Sequence, residues 1–204
     1  MKEQKLYNKY LHCKHWEKHP TVYAEKFIDF LKTNNFKGLL VDIGCGNGRD
    51  INVFAKAGFD TLGVDYSKDE INLAKQKFPK LKFQIQNVER LGFDNDSIGA
   101  FFMINVIHYV DKEKAISEIF RTLKSGGYFF IHFNIEIKDG NGNIDYKDDE
   151  KDIMSLVDGF DILQKRTFER VDFEPVEHTH KIIELILRKP LLIGYNQNWS
   201  KQRA

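Results

Sequence analysis

The chain reads as an α/β protein, a doubly wound and mostly parallel sheet, on three observations. Short apolar runs alternate with amphipathic segments between residues 39 and 133, the pattern of successive β-α units. A glycine turn, Gly44-Cys45-Gly46-Asn47-Gly48, follows the first of those runs directly. Two extended patterns then succeed each other after residue 160 with only a short turn between them, which places an antiparallel hairpin at the end of the fold. The 204 residues carry 31 Lys and Arg against 30 Asp and Glu, a formal net charge of +1. That length suits one domain with a full-sized core, and the balanced charge offers no general attraction to phosphate backbones or anionic lipid. Nucleic acid is accordingly disfavoured as a partner. No apolar run approaches the roughly 18 residues of a membrane span, and the start, Met1-Lys2-Glu3-Gln4-Lys5, is charged. Two cysteines, Cys13 and Cys45, fit a reducing compartment, so a cytoplasmic protein is expected.

The elements follow in order. Pro20 opens a helix in which Tyr23, Phe27, Phe30 and Leu31 recur at helical spacing. Leu39-Leu40-Val41-Asp42-Ile43 is the first strand. The turn after it has the spacing G-x-G-x-G, not the dinucleotide fingerprint G-x-G-x-x-G, whose third glycine makes the close helix–strand contact. Arg49 occupies that third position. Ile51 and Phe54 then mark a helix that Gly58 ends. The second strand, Thr61-Leu62-Gly63-Val64-Asp65, finishes in an acid about twenty residues past the loop, where a ribose-binding carboxylate belongs. A carboxylate accepts from both vicinal hydroxyls at once, and Tyr66 beside it offers a surface for ribose or adenine. Ser67-Lys68-Asp69-Glu70 is a capping box for the next helix, which leaves Asp65 free of that duty.

Residues 81–86 alternate apolar and polar as a third strand. After the turn cluster Asp94-Asn95-Asp96-Ser97, Ile98–Ile104 is a continuous apolar run, as expected of a central parallel strand buried on both faces. Asp111 caps a helix with Ile116, Ile119, Phe120 and Leu123 on one face. Gly126-Gly127 turns into a fifth strand over Tyr128–Phe133. Residues 138–150 are polar and acidic and read as a solvated surface loop. A short helix near Ile153, Met154 and Val157 ends by Gly159, and strands over 160–171 and 179–188 form the hairpin. The tail over 191–204, with Tyr195 and Trp199, has no readable pattern.

Taken in this order, the motifs over about residues 35–190 resemble the class I S-adenosylmethionine (SAM) dependent methyltransferases, of the methyltransferase domain 11/25 type. The resemblance implies a three-layer α/β/α architecture and a seven-stranded sheet, with SAM as cofactor and S-adenosyl-L-homocysteine as product. It makes Asp42 the acidic residue before the turn and sets Gly44, Cys45, Gly46 and Gly48 beside the methionine part of SAM. Asp65 then holds the ribose. Asn87 stands where the family has an Asp that accepts the adenine amino group, Gly92 stands where it has a Pro, and the Val88 backbone meets the adenine ring. Asn105 opens the stretch that lines the cofactor and the transfer site. The Gly44-Cys45-Gly46-Asn47-Gly48-Arg49 loop is also similar to that of the tellurite-resistance and thiopurine methyltransferases.

Residues 1–34 form an N-terminal helical lid on this reading, with Tyr10 and Trp16 closing over the cofactor. A metal site on His15 and His19 with His12 and Cys13 competes with it, but lacks a second cluster apart from His178 and His180 in a distant turn, so no metal is expected. His108, at the end of the fourth strand, is the candidate general base, needed only if the acceptor must lose a proton. Tyr109, His132 and Asn134 are further pocket residues. The expected reaction is methyl transfer to a small-molecule O, N or S nucleophile by in-line displacement. Transfer to protein or RNA is the alternative, as is a non-catalytic protein that binds SAM or S-adenosylhomocysteine, a reading favoured by Asn87.

Overall fold

The computed structural model describes residues 19–173 and 177–191. Its strands are β1 (Leu39–Ile43), β2 (Asp60–Asp65), β3 (Lys82–Ile85), β4 (Ile98–Met103), β5 (Leu123–Asp139), β6 (Ile144–Lys147), β7 (Asp161–Asp172) and β8 (His178–Arg188). Its helices are α1 (Val22–Thr33), α2 (Arg49–Lys56), α3 (Lys68–Lys77), α4 (Lys112–Thr122) and α5 (Glu150–Leu156), with a 3-10 turn over Ile107–Tyr109. The sheet runs in the order β3-β2-β1-β4-β5-β8-β7, and β6 pairs with β5 off that path. The pairings β2–β3, β1–β2, β1–β4 and β4–β5 are parallel. The pairings β5–β8, β7–β8 and β5–β6 are antiparallel. The expected doubly wound sheet with its C-terminal hairpin is therefore present, with β6 as an additional strand.

Helices cover both faces, because each central strand is apolar on both. All six residues of β4 are buried. Phe101 and Phe129 pack toward α4 and α5 with Ile116, Ile119 and Val157. Phe102 and Phe130 pack toward α1, α2 and α3 with Phe27, Phe54 and Ile71. The helix starts follow from side-chain caps: Thr21, Ser67, Asp111 and Asp149 each accept a backbone N–H of the first turn. No helix of the described residues is long and apolar enough to cross a membrane.

Residues 22–33 of the N-terminal segment pack on the sheet: Phe27 is fully buried, its ring 5.3 Å from that of Phe130 and 6.0 Å from that of Phe102. Two sequence expectations need correction here. Strand β5 does not begin after the double glycine but at Leu123, and it runs on to Asp139. Gly126 (φ +76°) lies inside it as an irregularity, and a Cβ on Gly127 would stand 2.8 Å from the Gly99 carbonyl. The acidic stretch after β5 is not a solvated loop. The Asp139 carboxylate accepts from the Asn141 and Asn143 N–H groups (3.0 and 2.8 Å), which forms a turn that brings Ile144–Lys147 back against β5. Asp-x-Asn and Gly residues at turn positions thus built a hairpin. Tyr7, Tyr10, His12, Cys13, His15, Trp16, Tyr195 and Trp199 lie outside the described residues.

Candidate active site

β1 lies between β2 and β4, and the chain leaves it in one direction and later resumes on its other side. Such a switch point opens a crevice beyond the C-terminal ends of the strands. The glycine turn fills its floor. Gly44 N and Cys45 N both donate to the Val64 carbonyl (2.8 and 3.0 Å), which fastens the turn to the end of β2. Gly44, Gly46 and Gly48 have φ of +71°, +49° and +81°. A Cβ on Gly44 would stand 2.2 Å from Val106 Cγ2, and one on Gly48 2.7 Å from Phe83 Cζ. On Gly46 the nearest atom would be Glu70 Oε2 at 3.8 Å. The outer two glycines are therefore required by packing, and the middle one presents bare backbone to the crevice.

Asp65 ties this turn to α3. Its Oδ2 accepts from Gly46 N (2.9 Å) and its Oδ1 from Ser67 N (2.8 Å). Ser67 Oγ accepts from Glu70 N (3.3 Å), so the capping box is completed by Asp65, which does serve the helix start after all. Each Asp65 oxygen keeps a second lone pair. Tyr66, next to it, is 79% exposed, unusual for so large an apolar ring. At the end of β3 the Asn87 side-chain oxygen accepts from Glu89 N (2.9 Å). The Val88 N–H meets no backbone carbonyl among the described residues.

Beneath the turn lies a buried acidic pair. Asp42 and Asp50 are 3% and 5% exposed. Burial, then the neighbouring Asp50, pushes the Asp42 carboxyl well above the usual range, against the pull of Arg49. Burial likewise raises Asp50, which accepts from Thr21 N at 2.7 Å. Arg49 Nε is 3.8 Å from Asp50 Oδ2. The arginine at the third dinucleotide position thus faces carboxylates, and the α2–strand contact that glycine would serve is made instead by Gly48 and Phe83.

The far side of the crevice is built by the segment after β4. Asn105 has φ +57°, a costly region for a residue with a Cβ, and the turn it makes delivers Val106 onto Gly44. His108 follows in the 3-10 turn, 3% exposed, its Nδ1 3.3 Å from Asn134 Nδ2. Tyr109 packs at 3.9 Å from the His108 ring and Tyr146 of β6 at 6.4 Å. Burial holds the His108 imidazole down at about 3, with His180, Lys112 and Arg170 adding to the effect. One nitrogen of this neutral ring is thus engaged by the Asn134 side-chain amide, which fixes the orientation of the imidazole in the corner.

His132 does not join that corner, although it is two residues from Asn134. It lies opposite Glu184 in the β5–β8 register, with Nε2 3.1 Å from Glu184 Oε2. The Tyr23 ring of α1 covers it at 4.3 Å, so α1 excludes it from the crevice. The histidine pair that the sequence placed in a distant turn has a third partner that the sequence reading did not name. His178 and His180 belong to β8, not to a turn, and gather with Asp172 of β7 so that one ligand atom from each lies within 4.8 Å of the others. The alternation His-x-His at the head of a strand was the available signal, since residues i and i+2 share a face.

Residues 41–131 match the Methyltransferase domain family. An uncharacterized methyltransferase of Mycobacterium tuberculosis, Rv3342, is 25% identical over 119 residues, 58% of this chain and 49% of that protein. The chain spans about half the length of the curated relatives it matches. Among solved structures, a SAM-dependent methyltransferase of Methanosarcina mazei superposes with a TM-score of 0.65 at 20% identity, covering 78% of this chain and 97% of that one. Magnesium protoporphyrin IX methyltransferase of Synechocystis, solved with bound SAM, superposes at 0.59 with 21% identity, covering 81% and 78%. Together with the glycine turn at the switch point and the order β3-β2-β1-β4-β5-β8-β7, the match over residues 41–131 supports a class I methyltransferase domain in this chain.

Proposed function

We propose that the chain is a SAM-dependent methyltransferase acting on a small-molecule acceptor. The observation that carries this reading is the crevice floor, where bare Gly46 backbone, the Asp65 carboxylate and exposed Tyr66 adjoin one another at the end of β2. Those groups match a ribose flanked by an adenine and a chain of methionine size. The Val88 N–H is left to meet an adenine ring nitrogen. Among the described residues Asp42 and Asp50 face one guanidinium, that of Arg49, so this corner is short of positive charge, as suits a ligand carrying a sulfonium and an ammonium group.

When bound, SAM supplies a methyl already activated on sulfur, so the protein's task is alignment and exclusion of water. Gly44 and Val106 fix the height of the crevice floor. His108, Asn134, Tyr109 and Tyr146 shape the acceptor end, with β6 closing over it. His108 acts here as a neutral positioning residue held by Asn134. A compact polar corner of this kind supports a small acceptor, as does the Synechocystis likeness, whose substrate is a porphyrin by name.

The reading is tested by calorimetric titration with SAM and, separately, NAD. Micromolar binding of SAM alone is expected, and binding of NAD alone would overturn it. Asp65→Ala should weaken SAM by about 1.5–3 kcal/mol, the range for hydrogen bonds to a charged group; unchanged affinity would remove Asp65 from the site. Once an acceptor is found by labelled-SAM incubation of size-fractionated extract, kcat should show no step between pH 5 and 8 that His108→Asn abolishes. A His108-dependent step there would restore it as the base.

A further inference from the structure

We infer that Asp172, His178 and His180 form a binding site for a divalent first-row transition-metal ion at the head of the β7–β8 ribbon. The hairpin register makes Asp172 the direct partner of His178 and Arg170 that of His180. Residues two apart on a strand share a face, and direct cross-strand partners are about 5 Å apart. Four functional side chains are thereby delivered to one patch by backbone pairing alone. His180 Nε2 is 3.3 Å and His178 Nε2 3.7 Å from the same atom, Asp172 Oδ2. The two histidines are 6% and 3% exposed and their ring centroids are 4.8 Å apart.

Two buried imidazoles converging on one carboxylate oxygen make the donor set that zinc, cobalt, nickel and ferrous iron prefer. Three protein ligands leave coordination positions open. The second observation is His180 Nδ1, a buried nitrogen with no hydrogen-bond partner among the described residues. Buried polar atoms are nearly always paired, so this ring is only half satisfied by its contact with Asp172. Arg170 is the competing cation: its Nη2 donates to Asp172 Oδ2 at 2.8 Å. It balances the carboxylate in the metal-free protein and must release that oxygen to an ion. Its Nε, also buried, has no partner among the described residues, so this guanidinium is loosely satisfied where it stands. His180 is the register partner of Ile137 on β5, which pairs on its other side with Tyr146 of β6, so the site adjoins the acceptor corner.

The test is a titration of the full chain, stripped with chelator, with Co²⁺ alone and no SAM, followed by visible absorption. One equivalent giving d–d bands of a nitrogen- and oxygen-ligated ion is expected. His178→Ala and His180→Ala should each weaken it by about 100-fold or more, beyond the roughly 10–100-fold that loss of an outer-shell partner costs, with circular dichroism melts confirming the fold. A variant carrying His12→Ala, Cys13→Ala, His15→Ala and His19→Ala should bind like the wild type. Absence of binding would overturn the inference, as would retention of binding in His180→Ala or its loss in the N-terminal variant. A sulfur-to-cobalt charge-transfer band would do the same without any variant, because this donor set contains no thiolate. None of these readings depends on methyl transfer, so failure here leaves the SAM titration to be judged separately.

Discussion

Gly44→Ala should abolish SAM binding and cost the fold about 2–5 kcal/mol. Two costs add. The backbone there sits at φ +71°, where an L side chain costs roughly 1–2 kcal/mol. The new methyl would stand 2.2 Å from Val106 Cγ2, and overpacking of this kind costs roughly 1–3 kcal/mol. Urea denaturation measures the sum and calorimetry the lost affinity. The double variant Gly44→Ala/Val106→Ala should regain the overpacking part and keep the backbone part. Gly46→Ala, with open space around its Cβ, should cost the fold only the backbone part while still blocking the crevice. Equal destabilisation by both single variants would mean that Val106 does not set the floor.

Glu184→Ala should destabilise by about 2–3 kcal/mol. Glu184, 2% exposed, accepts from Lys26, from Arg166 Nη2 at 3.0 Å and from the buried His132. Loss of one partner of a buried pair costs about 3–5 kcal/mol, but Lys26 and Arg166 are 36% and 50% exposed and can turn to water. The effect therefore comes mainly from His132, left buried without its acceptor, and Glu184→Gln, which keeps an oxygen, should cost less. The pH dependence has a definite sign. Burial pushes the Glu184 carboxyl up, yet hydrogen bonds from His132 and Lys26 outweigh it and bring it to about 2. Its contribution is complete above the unfolded value near 4.5 and fades as pH falls toward 2. Burial lowers His132 as well, so the unfolded chain takes up that proton first and acid again favours unfolding. The stability gap between wild type and Glu184→Gln should thus narrow between pH 5 and pH 3 in denaturant melts; a constant gap would place the stabilisation in packing and not in charge.

The parallel half of the sheet was legible because its signals are local. The run Ile98–Ile104 announces a strand buried on both faces, and Ser67, Asp111 and Gly58 mark helix ends by the chemistry of single residues. The glycine turn and Asp65 stood out for the same reason. What escaped depends on partners distant in sequence. β5 extends to Asp139 because β8 and β6 supply its hydrogen bonds, and nothing in Lys138-Asp139-Gly140 says that a strand ends there by hairpin. His132 looked like a pocket residue from its place on β5, and only the register with Glu184 and the cover of Tyr23 explain why it is walled off. His108 is equally plain in sequence, but its neutrality follows from burial beside Asn134. Asp172 needs the hairpin to find His178.

The outer edge of β5 has a consequence for the protein's birth on the ribosome. Phe129, Phe130, Ile131 and Phe133 are fully buried, yet the strand that covers them ends only at Arg188. Residues 39–133 can assemble the parallel half as they emerge, since its pairings are made by segments already synthesised. Until β8 is released, that nascent half displays a long apolar edge with unsatisfied backbone groups, the kind of template that recruits a neighbouring chain. Translation of the last third is therefore the hazardous interval. A message that stalls after residue 160 should yield aggregates or a chaperone-bound species, whereas one that stalls before β5 is complete should not.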